Sequence, residues 1–301
     1  MKTKKLLALL TAAAMLTAMT ACGGNNNSAS GSDATASGSG SDLGMISVIS
    51  REDGSGTRGA FIELMGVEEE DADGNKTDMT TADAIVTNNT EVMMSTVAGD
   101  PASIGYVSLG SLNDQVKAVK VDGVEATADN VKNGMYKVAR PFNIATKGEP
   151  TGVAKDFINF ILSADGQKIV SEDYITIDDQ AAAFETDGST GKLVIGGSSS
   201  VTPLMEKLVE AYEAINAGAD IELQASDSTS GMTGTIEGTY DIGMASRELK
   251  DDESAELKNT VIAMDGIAVI VNKENPIEDL TSDQIGQIYK GEITDWSELS
   301  K

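Results

Sequence analysis

Residues 50–58 read SREDGSGTR and lead directly into the apolar stretch GAFIELM at residues 59–65. The run at residues 46–50 predicts a β-strand, and the apolar spacing over residues 58–65 predicts a helix that ends at Gly66. The small residues and hydroxyls between them lie at a helix N-terminus, where unpaired N–H groups and a partial positive charge favour a bound oxyanion. The stretch therefore predicts a strand–loop–helix unit with an anion-binding loop.

The chain beyond this unit alternates short β-branched runs with helical patterns, which is typical of α/β proteins. Predicted strands cover residues 104–109, 116–121, 193–195, 221–224 and the apolar run 262–272. Predicted helices cover residues 90–98 and 151–170, and two more begin at Thr202 and within residues 279–281. Small polar residues over 178–192 predict a connector.

Two further loops share the design of the first, with small or hydroxyl residues between a strand and a helix. They are GGSSSV at residues 196–201 and SDSTSG at residues 226–231. Taken singly, each is better explained by ordinary capping and turn residues. Three in one α/β chain favour a ligand site, because ligands gather at the carboxyl ends of strands in open sheets.

Arginines supply the cationic groups expected beside these loops. Arg51 offers paired N–H donors to a tetrahedral oxyanion, and Asp53 can hold it in place or serve only as a turn residue. Arg247, in the segment DIGMASREL, is a second candidate, with a surface salt bridge as the alternative. Arg58 is expected to face solvent or a neighbouring carboxylate.

The composition favours binding over catalysis. A formal net charge of −26 without a basic stripe argues against nucleic-acid binding. The absence of histidine excludes a Ser–His–Asp triad, and a single cysteine leaves no Cys/His cluster for zinc. The first loop lacks the Gly-Lys-Ser/Thr end of a P-loop, and nothing singles out an acid pair for glycoside cleavage. We therefore expect a binding protein that is not an enzyme and uses no metal or cofactor.

The first residues predict an exported protein anchored to the cell membrane. Residues 1–21 combine three lysines with a short apolar stretch, as a bacterial signal peptide does. The small residues before Cys22, the only cysteine, resemble the lipobox of a bacterial lipoprotein, so Cys22 is the predicted lipidation site. A plain secretory signal is the alternative. Residues 22–44 are rich in Gly, Ser and Asn and predict a flexible tether.

Six segments resemble the phosphate-binding lipoprotein of bacterial high-affinity phosphate ABC importers: SREDGSGTRGAF, IGYVSLGSL, GSSSVTPLMEKL, DIGMASREL, DGIAVIVNKENP and QIYKGEITDWSEL. The likeness extends over residues 45–299. It implies an extracytoplasmic receptor that captures inorganic phosphate as a monomer. The receptor would deliver phosphate to a membrane permease and its ATPase.

The order of these segments differs from the order usual in the family. There GSSSVTP opens the mature domain and DGSGT follows DWSEL, whereas here DGSGT comes first, as in a circular permutant. The resemblance implies a two-lobed periplasmic-binding-protein-like (type II) α/β fold with a ligand cleft. The first lobe would be residues 141–265, including the 179–192 connector, and the second lobe residues 45–140 plus 266–301. Closure of the lobes would create the surface that the permease recognises.

The resemblance also implies which residues hold phosphate. They are Arg51, Ser55, Gly56 and Thr57, with Asp53 paired to the arginine, then Ser200, Val201 and Thr229, with Ser228 or Ser230 as register alternatives. Ser246 stands where well-known members carry the aspartate that accepts the phosphate's proton, and Arg247 follows as an added donor. A serine accepts without charge, so another tetrahedral oxyanion such as sulfate or molybdate is an alternative ligand. A surface phosphoester hydrolase and a scaffold that lost its ligand are the alternatives from other classes.

Overall fold

The elements follow the predicted α/β pattern in a computed structural model that describes residues 43–72 and 74–299. The predicted signal peptide, the predicted lipidation site Cys22 and all but the last two residues of the predicted tether lie outside the described residues. All of the described residues belong to one compact unit.

Strands and helices alternate along most of the described chain. Strands β1–β13 are, in chain order, Ser47–Arg51, Glu68–Glu70, Lys76–Asp78, Ile85–Thr87, Ser103–Ser108, Lys117–Ala118, Lys120–Val121, Ala139–Thr146, Gly191–Ser198, Ala219–Ser226, Ile242–Ala245, Lys258–Val271 and Asp279–Leu280. Helices α1–α9 are Gly56–Leu64, Thr90–Ala98, Ala128–Lys132, Gly152–Leu162, Ala164–Asp173, Thr202–Ile215, Ser228–Glu237, Asp251–Glu256 and Ser282–Lys290. Two 3₁₀ turns cover Leu109–Ser111 and Trp296–Leu299.

Capping residues set helix boundaries that the apolar pattern placed differently. Helix α1 begins at Gly56, two residues before the predicted start, because the Ser55 hydroxyl accepts from the Arg58 amide at 3.3 Å and caps the helix. The predicted helix over 151–170 is two helices, α4 and α5. Ser163 ends the first and caps the second, because its hydroxyl accepts from the Gly166 amide at 3.3 Å.

A nine-stranded mixed sheet runs through the molecule in the order β10-β9-β11-β8-β12-β5-β1-β4, with β6 paired to β12. Strands β10, β9 and β11 are parallel at one end, and β5, β1 and β4 are parallel at the other. In the middle, β8 and β12 are antiparallel. Strand β12 pairs with β8 over its first part and with β5 over its last five residues, so it joins the two halves of the sheet.

Two large hydrophobic cores form on either side of this middle pair, and a smaller cluster consists of Ala145, Met232, Ala245 and Leu257. One is built from residues 48–138 and 267–296 and includes Tyr106. The other lies within residues 142–263 and includes Leu208. We call the part with the second of these cores the first lobe and the other part the second lobe. The exact boundaries at 140/141 and 265/266 stay a prediction.

The chain crosses between the lobes on the adjacent strands β8 and β12. Arg140 on β8 lies opposite Asp265 on β12 in the antiparallel ladder. The Ile267 amide donates to the Val138 carbonyl at 2.7 Å and continues the pairing towards the second lobe. Two neighbouring strands make a narrow connection, about which lobes can bend towards each other.

The two ends of the described chain lie side by side on the second lobe. The Ile46 amide donates to the Thr294 carbonyl at 2.8 Å, and the Trp296 amide donates to the Gly44 carbonyl at 3.1 Å. Permutation requires ends that lie close together at the surface, so the predicted permuted order is compatible with this geometry.

Rejoining the ends offers a test of that order. We expect residues 43–299, closed by a short Gly/Ser linker from Leu299 to Leu43 and opened at the exposed Gly188, to fold with a thermal midpoint within about 5 °C of the original. Circular dichroism measures the midpoint. As a control, a chain opened within β12 should not fold, because that break interrupts the strand shared by both lobes. Equal stability of the two variants would contradict the prediction.

Candidate functional site

Five buried hydroxyl side chains from both lobes meet where the loops singled out in the sequence come together. This hydroxyl cluster consists of Thr57, Ser198, Ser200, Ser228 and Ser246, each at most 3% exposed. Thr57 Oγ1 lies 2.8 Å from Ser200 Oγ and 3.3 Å from Ser246 Oγ. Ser198 Oγ donates to Ser246 Oγ at 2.9 Å. Because a hydroxyl can both donate and accept, the cluster can adapt to an oxyanion in either protonation state.

Three helices begin at this cluster. Gly56 is the first residue of α1, Thr202 of α6 and Ser228 of α7. Their N-termini direct partial positive charge to the same place, which favours an anion. The Val201 amide, expected to donate to the ligand, instead donates to the Ser198 carbonyl at 3.0 Å, because the turn before α6 uses it.

The three candidate hydroxyls at residues 228–230 lie in different surroundings. Ser228 is fully buried and lies 3.5 Å from Ser246 through the two hydroxyls. Thr229, the residue first assigned, accepts from Arg247 Nη2 at 3.2 Å outside the cluster. The Ser230 hydroxyl donates to Asp227 at 2.6 Å at the exposed cap of α7. Helical rotation separates the three side chains, so Ser228, the register alternative, occupies the cluster.

Arg51 is held beside the cluster by Glu52 and not by Asp53. Its Nε and Nη2 each lie 2.7 Å from a Glu52 oxygen, and Nη2 also donates to Ser199 Oγ at 3.2 Å. Asp53 is 97% exposed and lies 3.0 Å from Arg58 Nη1. The turn after β1 points Asp53 to solvent, which corrects the expected Arg51–Asp53 pair. Arg58 meets neighbouring carboxylates, as predicted.

The aromatic side chain of Tyr106 supports the Arg51 loop from below. Its hydroxyl lies 3.0 Å from Ser50 Oγ and accepts from the Arg51 amide at 3.1 Å. The ring stacks on Phe61 of α1 with 4.0 Å between centroids. Burial raises the pKa of Tyr106 to about 12, so it stays a neutral partner. The strand end and the helix start are thereby fixed relative to each other.

Arg247 is engaged by a carboxylate. Its Nη1 and Nη2 donate to the two oxygens of Glu253 at 2.7 and 2.8 Å. Side-chain exposures of 11% and 7% place this pair at the margin of the site. Arg247 therefore forms a salt bridge, as its alternative reading expected, although this pair is mostly buried and not at the surface. Within the described residues, its side-chain hydrogen bond to the loops is the one to Thr229.

Arg140 was missed by the sequence reasoning and touches the cluster directly. Its Nη2 donates to Thr57 Oγ1 at 2.9 Å, and its Nε donates to the Ser246 carbonyl at 2.7 Å. Its Nη1 lies 2.9 Å from Asp265 Oδ2 in a buried ion pair. Burial raises the pKa of Asp265 to about 6, against the opposite effect of Arg140. The available signal was a single charged residue in each of the stretches 139–146 and 259–271.

Gly56 is a point where the lobes approach each other closely. A Cβ atom there would lie closer to Ser228 Oγ than van der Waals contact allows, and 2.9 Å from Ser246 Oγ. The Thr229 amide also donates to the Gly54 carbonyl at 3.2 Å across the lobes. The absence of a side chain at Gly56 therefore lets the two halves of the cluster meet.

A cavity of about 650 Å³ opens between the lobes beside the cluster. Thr90 and Gly110 line it from the second lobe, and Ser199 and Thr202 from the first. Thr90 Oγ1 lies 3.3 Å from Ser200 Oγ, so this wall of the cavity adjoins the cluster.

The described residues contain neither a metal-binding group nor a membrane-spanning helix. No group of three or more Cys, Asp or Glu side chains within residues 43–72 and 74–299 is placed to hold a metal ion. No helix in this part of the chain is long and apolar enough to cross a membrane.

Comparison with known proteins identifies the family. The model of the PBP superfamily domain matches residues 29–165 and 182–301. Phosphate-binding protein PstS 2 of Streptococcus agalactiae is 51% identical over 304 residues, covering 100% of this chain and 100% of that protein. The chain belongs to the PBP superfamily and, within it, to the PstS phosphate-binding proteins. The family and fold expected from the six segments are confirmed.

The chain is also similar to two further phosphate-binding proteins. Phosphate-binding protein PstS of Bacillus subtilis is 32% identical over 146 residues, covering 48% of this chain and 45% of that protein. The crystal structure of a phosphate ABC transporter, phosphate-binding protein from Streptococcus pneumoniae TIGR4 matches with a TM-score of 0.68 at 42% identity. That match covers 85% of this chain and 99% of the other.

Proposed function

We propose that this chain binds inorganic phosphate between its two lobes and delivers it, outside the cytoplasm, to the permease and ATPase of an ABC importer. The observation that carries the proposal is the hydroxyl cluster, which joins side chains of both lobes at three helix N-termini beside Arg51 and Arg140. A tetrahedral oxyanion accepts hydrogen bonds on every oxygen, and these donors converge from several directions. The names of the similar proteins support the same ligand.

The site that we assign to phosphate differs in part from the sequence prediction. We keep Arg51, Ser55, Gly56, Thr57, Ser200 and Ser246, place Ser228 in the cluster, and add Arg140. Thr229 and Arg247 take positions at the margin, with Glu52 in the supporting role first given to Asp53. Val201 shapes the turn before α6.

The remaining features belong to the same proposal. We infer a monomer that is not an enzyme, exported with a lipid anchor at Cys22 and tethered by residues 22–44. The permuted order is supported by the neighbouring ends of the described chain. The Bacillus subtilis protein supports it too, because the match covers only about half of each chain. When two chains carry the same segments in a different order, an alignment in chain order can include only one block of them.

Calorimetric titration with phosphate, arsenate, sulfate and molybdate tests the proposal. We expect phosphate and arsenate to bind about 10- to 100-fold more tightly than sulfate, because a protonated oxygen can donate to a hydroxyl that sulfate leaves unpaired. Equal affinities for sulfate and phosphate would contradict phosphate as the specific ligand and would favour the alternative of another tetrahedral oxyanion, which Ser246 left open. Release of product from a chromogenic phosphoester would contradict the assignment as a binding protein.

A further inference from the structure

Arg140 and Asp265 form a buried ion pair at the point where the chain crosses between the lobes. The two side chains are 2% and 1% exposed, and Nη1 lies 2.9 Å from Oδ2. The two residues face each other in the β8–β12 ladder. The pairing of these strands therefore fixes the ion pair at the junction, next to both lobes.

Arg140 reaches the hydroxyl cluster from this junction. It donates to the Thr57 hydroxyl of the second lobe and to the Ser246 carbonyl of the first. Among the hydroxyls near the site, Arg51 donates to Ser199 and Arg247 donates to Thr229, and both of these lie outside the cluster. Among the arginines in the described residues, Arg140 is thus the one that donates to members of the cluster.

The arginines around the site bring no net charge, because each is matched by a carboxylate. The pairs are Arg51–Glu52, Arg247–Glu253 and Arg140–Asp265. A bound anion therefore interacts with helix dipoles and with arginines whose charge a carboxylate already neutralises. The cost of burying an ion rises with the square of its charge in the Born description, so a balanced site favours a singly charged anion over a doubly charged one.

We propose that Asp265 determines specificity through Arg140: by balancing the charge of this arginine, it makes the site select oxyanions that carry a proton and a single negative charge. Asp265 is a positioning residue, since it contacts Arg140 and the Gly110 amide but no member of the cluster. A carboxylate at residue 246 would discriminate between phosphate and sulfate by touching the ligand. Asp265 acts through its ion pair with Arg140 instead. This inference rests on the proposed function.

Asp265 is also the group at the junction that changes charge near neutral pH. Burial brings the pKa of its carboxyl to about 6, with Arg140 acting in the opposite direction. The groups around it are the Arg140 guanidinium, the Gly110 amide and the hydroxyls of Ser108, Tyr136 and Tyr174. Burial raises the pKa of both tyrosines above its ordinary value, so they stay neutral. The chain has no histidine.

Protonation of Asp265 leaves Arg140 with an unbalanced positive charge. We therefore expect doubly charged anions to bind better below pH 6 than above it, following the pKa of about 6. Sulfate is the probe, because it stays doubly charged from about pH 5 to pH 8 and its pH dependence then reports on the protein. In the full chain, sulfate affinity should rise about tenfold or more as the pH falls through this range.

The Asp265→Asn variant should remove this dependence. We expect it to bind sulfate about tenfold or more tightly than the unchanged chain at pH 8, with the same affinity at pH 5. The matched control is Asp156→Asn. Asp156 is also a buried carboxylate, 1% exposed and bonded to the Tyr212 hydroxyl at 2.8 Å in the first lobe, and its variant should keep the original pH profile.

Three outcomes separate the hypotheses. If Asp265→Asn binds phosphate but keeps the original sulfate affinity and pH profile, the inference is overturned while the proposed function stands. If the unchanged chain binds neither phosphate nor arsenate, the proposed function fails. If Asp265→Asn does not fold, the sulfate profile of the unchanged chain decides. An affinity that stays flat from pH 8 to pH 5 would overturn the inference, and a rise of about tenfold supports it.

Discussion

Replacing Gly56 with alanine should weaken phosphate binding by about 10- to 100-fold while leaving both lobes folded. The added methyl group would collide with the hydroxyls of Ser228 and Ser246, and overpacking of this kind costs about 1–3 kcal/mol. Both hydroxyls belong to the opposite lobe, so the collision occurs only when the lobes are together. Calorimetry measures the affinity. Small-angle scattering in excess phosphate should give a larger radius of gyration for the variant than for the unchanged chain.

A neighbouring glycine on the same helix provides the control. A Cβ atom on Gly59 would lie 3.8 Å from Arg247 Cδ, which is an ordinary contact. The Gly59→Ala variant should therefore bind phosphate within about twofold of the unchanged chain. If Gly56→Ala and Gly59→Ala bind equally well, close approach at Gly56 is not required for binding.

Replacing Arg51 with alanine should weaken phosphate binding by at least about 100-fold. Removing one partner of a buried, hydrogen-bonded charge pair costs about 2–5 kcal/mol, much of it because the other charge is left unpaired. Arg51 is 3% exposed and holds both oxygens of Glu52 at 2.7 Å. Its loss removes charged donors and leaves a carboxylate facing the bound anion. Calorimetric titration of the variant with phosphate measures the loss.

Two companion variants separate these effects. The Arg51→Ala/Glu52→Gln double variant removes the stranded carboxylate and should bind phosphate at least about threefold more tightly than Arg51→Ala. Asp53→Asn should bind phosphate with an affinity within about twofold of the unchanged chain, because the Asp53 side chain is 97% exposed and pairs with Arg58 and not with Arg51. A loss in Asp53→Asn as large as that in Arg51→Ala would restore the original assignment to Asp53.

Features of the site that depend on neighbouring residues in the chain could be predicted from the sequence. Strand-to-helix connections were correctly predicted around residues 50–58, 196–201 and 226–231, because small residues, caps and apolar periodicity act within a few positions. The loops are shorter than predicted, since β9 continues to Ser198 and α7 begins at Ser228. The common edge of the sheet then brings their hydroxyls together. The location of the cluster thus follows from local pattern and topology.

Contacts between side chains that are brought together only by the folded structure could not be predicted. Glu52 and Asp53 are adjacent acids, and only the direction of the turn decides which of them meets Arg51. Arg140 and Asp265 are far apart in the chain and become partners through the register of β8 against β12. A lone charge in an apolar run marks a residue that needs a partner but does not say which one.

Strand β12 also sets the order in which the molecule can be completed during synthesis. Strand β5 of the second lobe pairs with the last residues of β12, which leave the ribosome much later. Until they arrive, β5 presents an unpaired edge and an uncovered apolar face, surfaces that associate readily with other chains. The first lobe is continuous and lacks nothing once the start of β12 has emerged. The second lobe, whose Arg51 loop is synthesised first, is therefore completed last. Its exposed edge and apolar face stay open to association with other chains for the longest time.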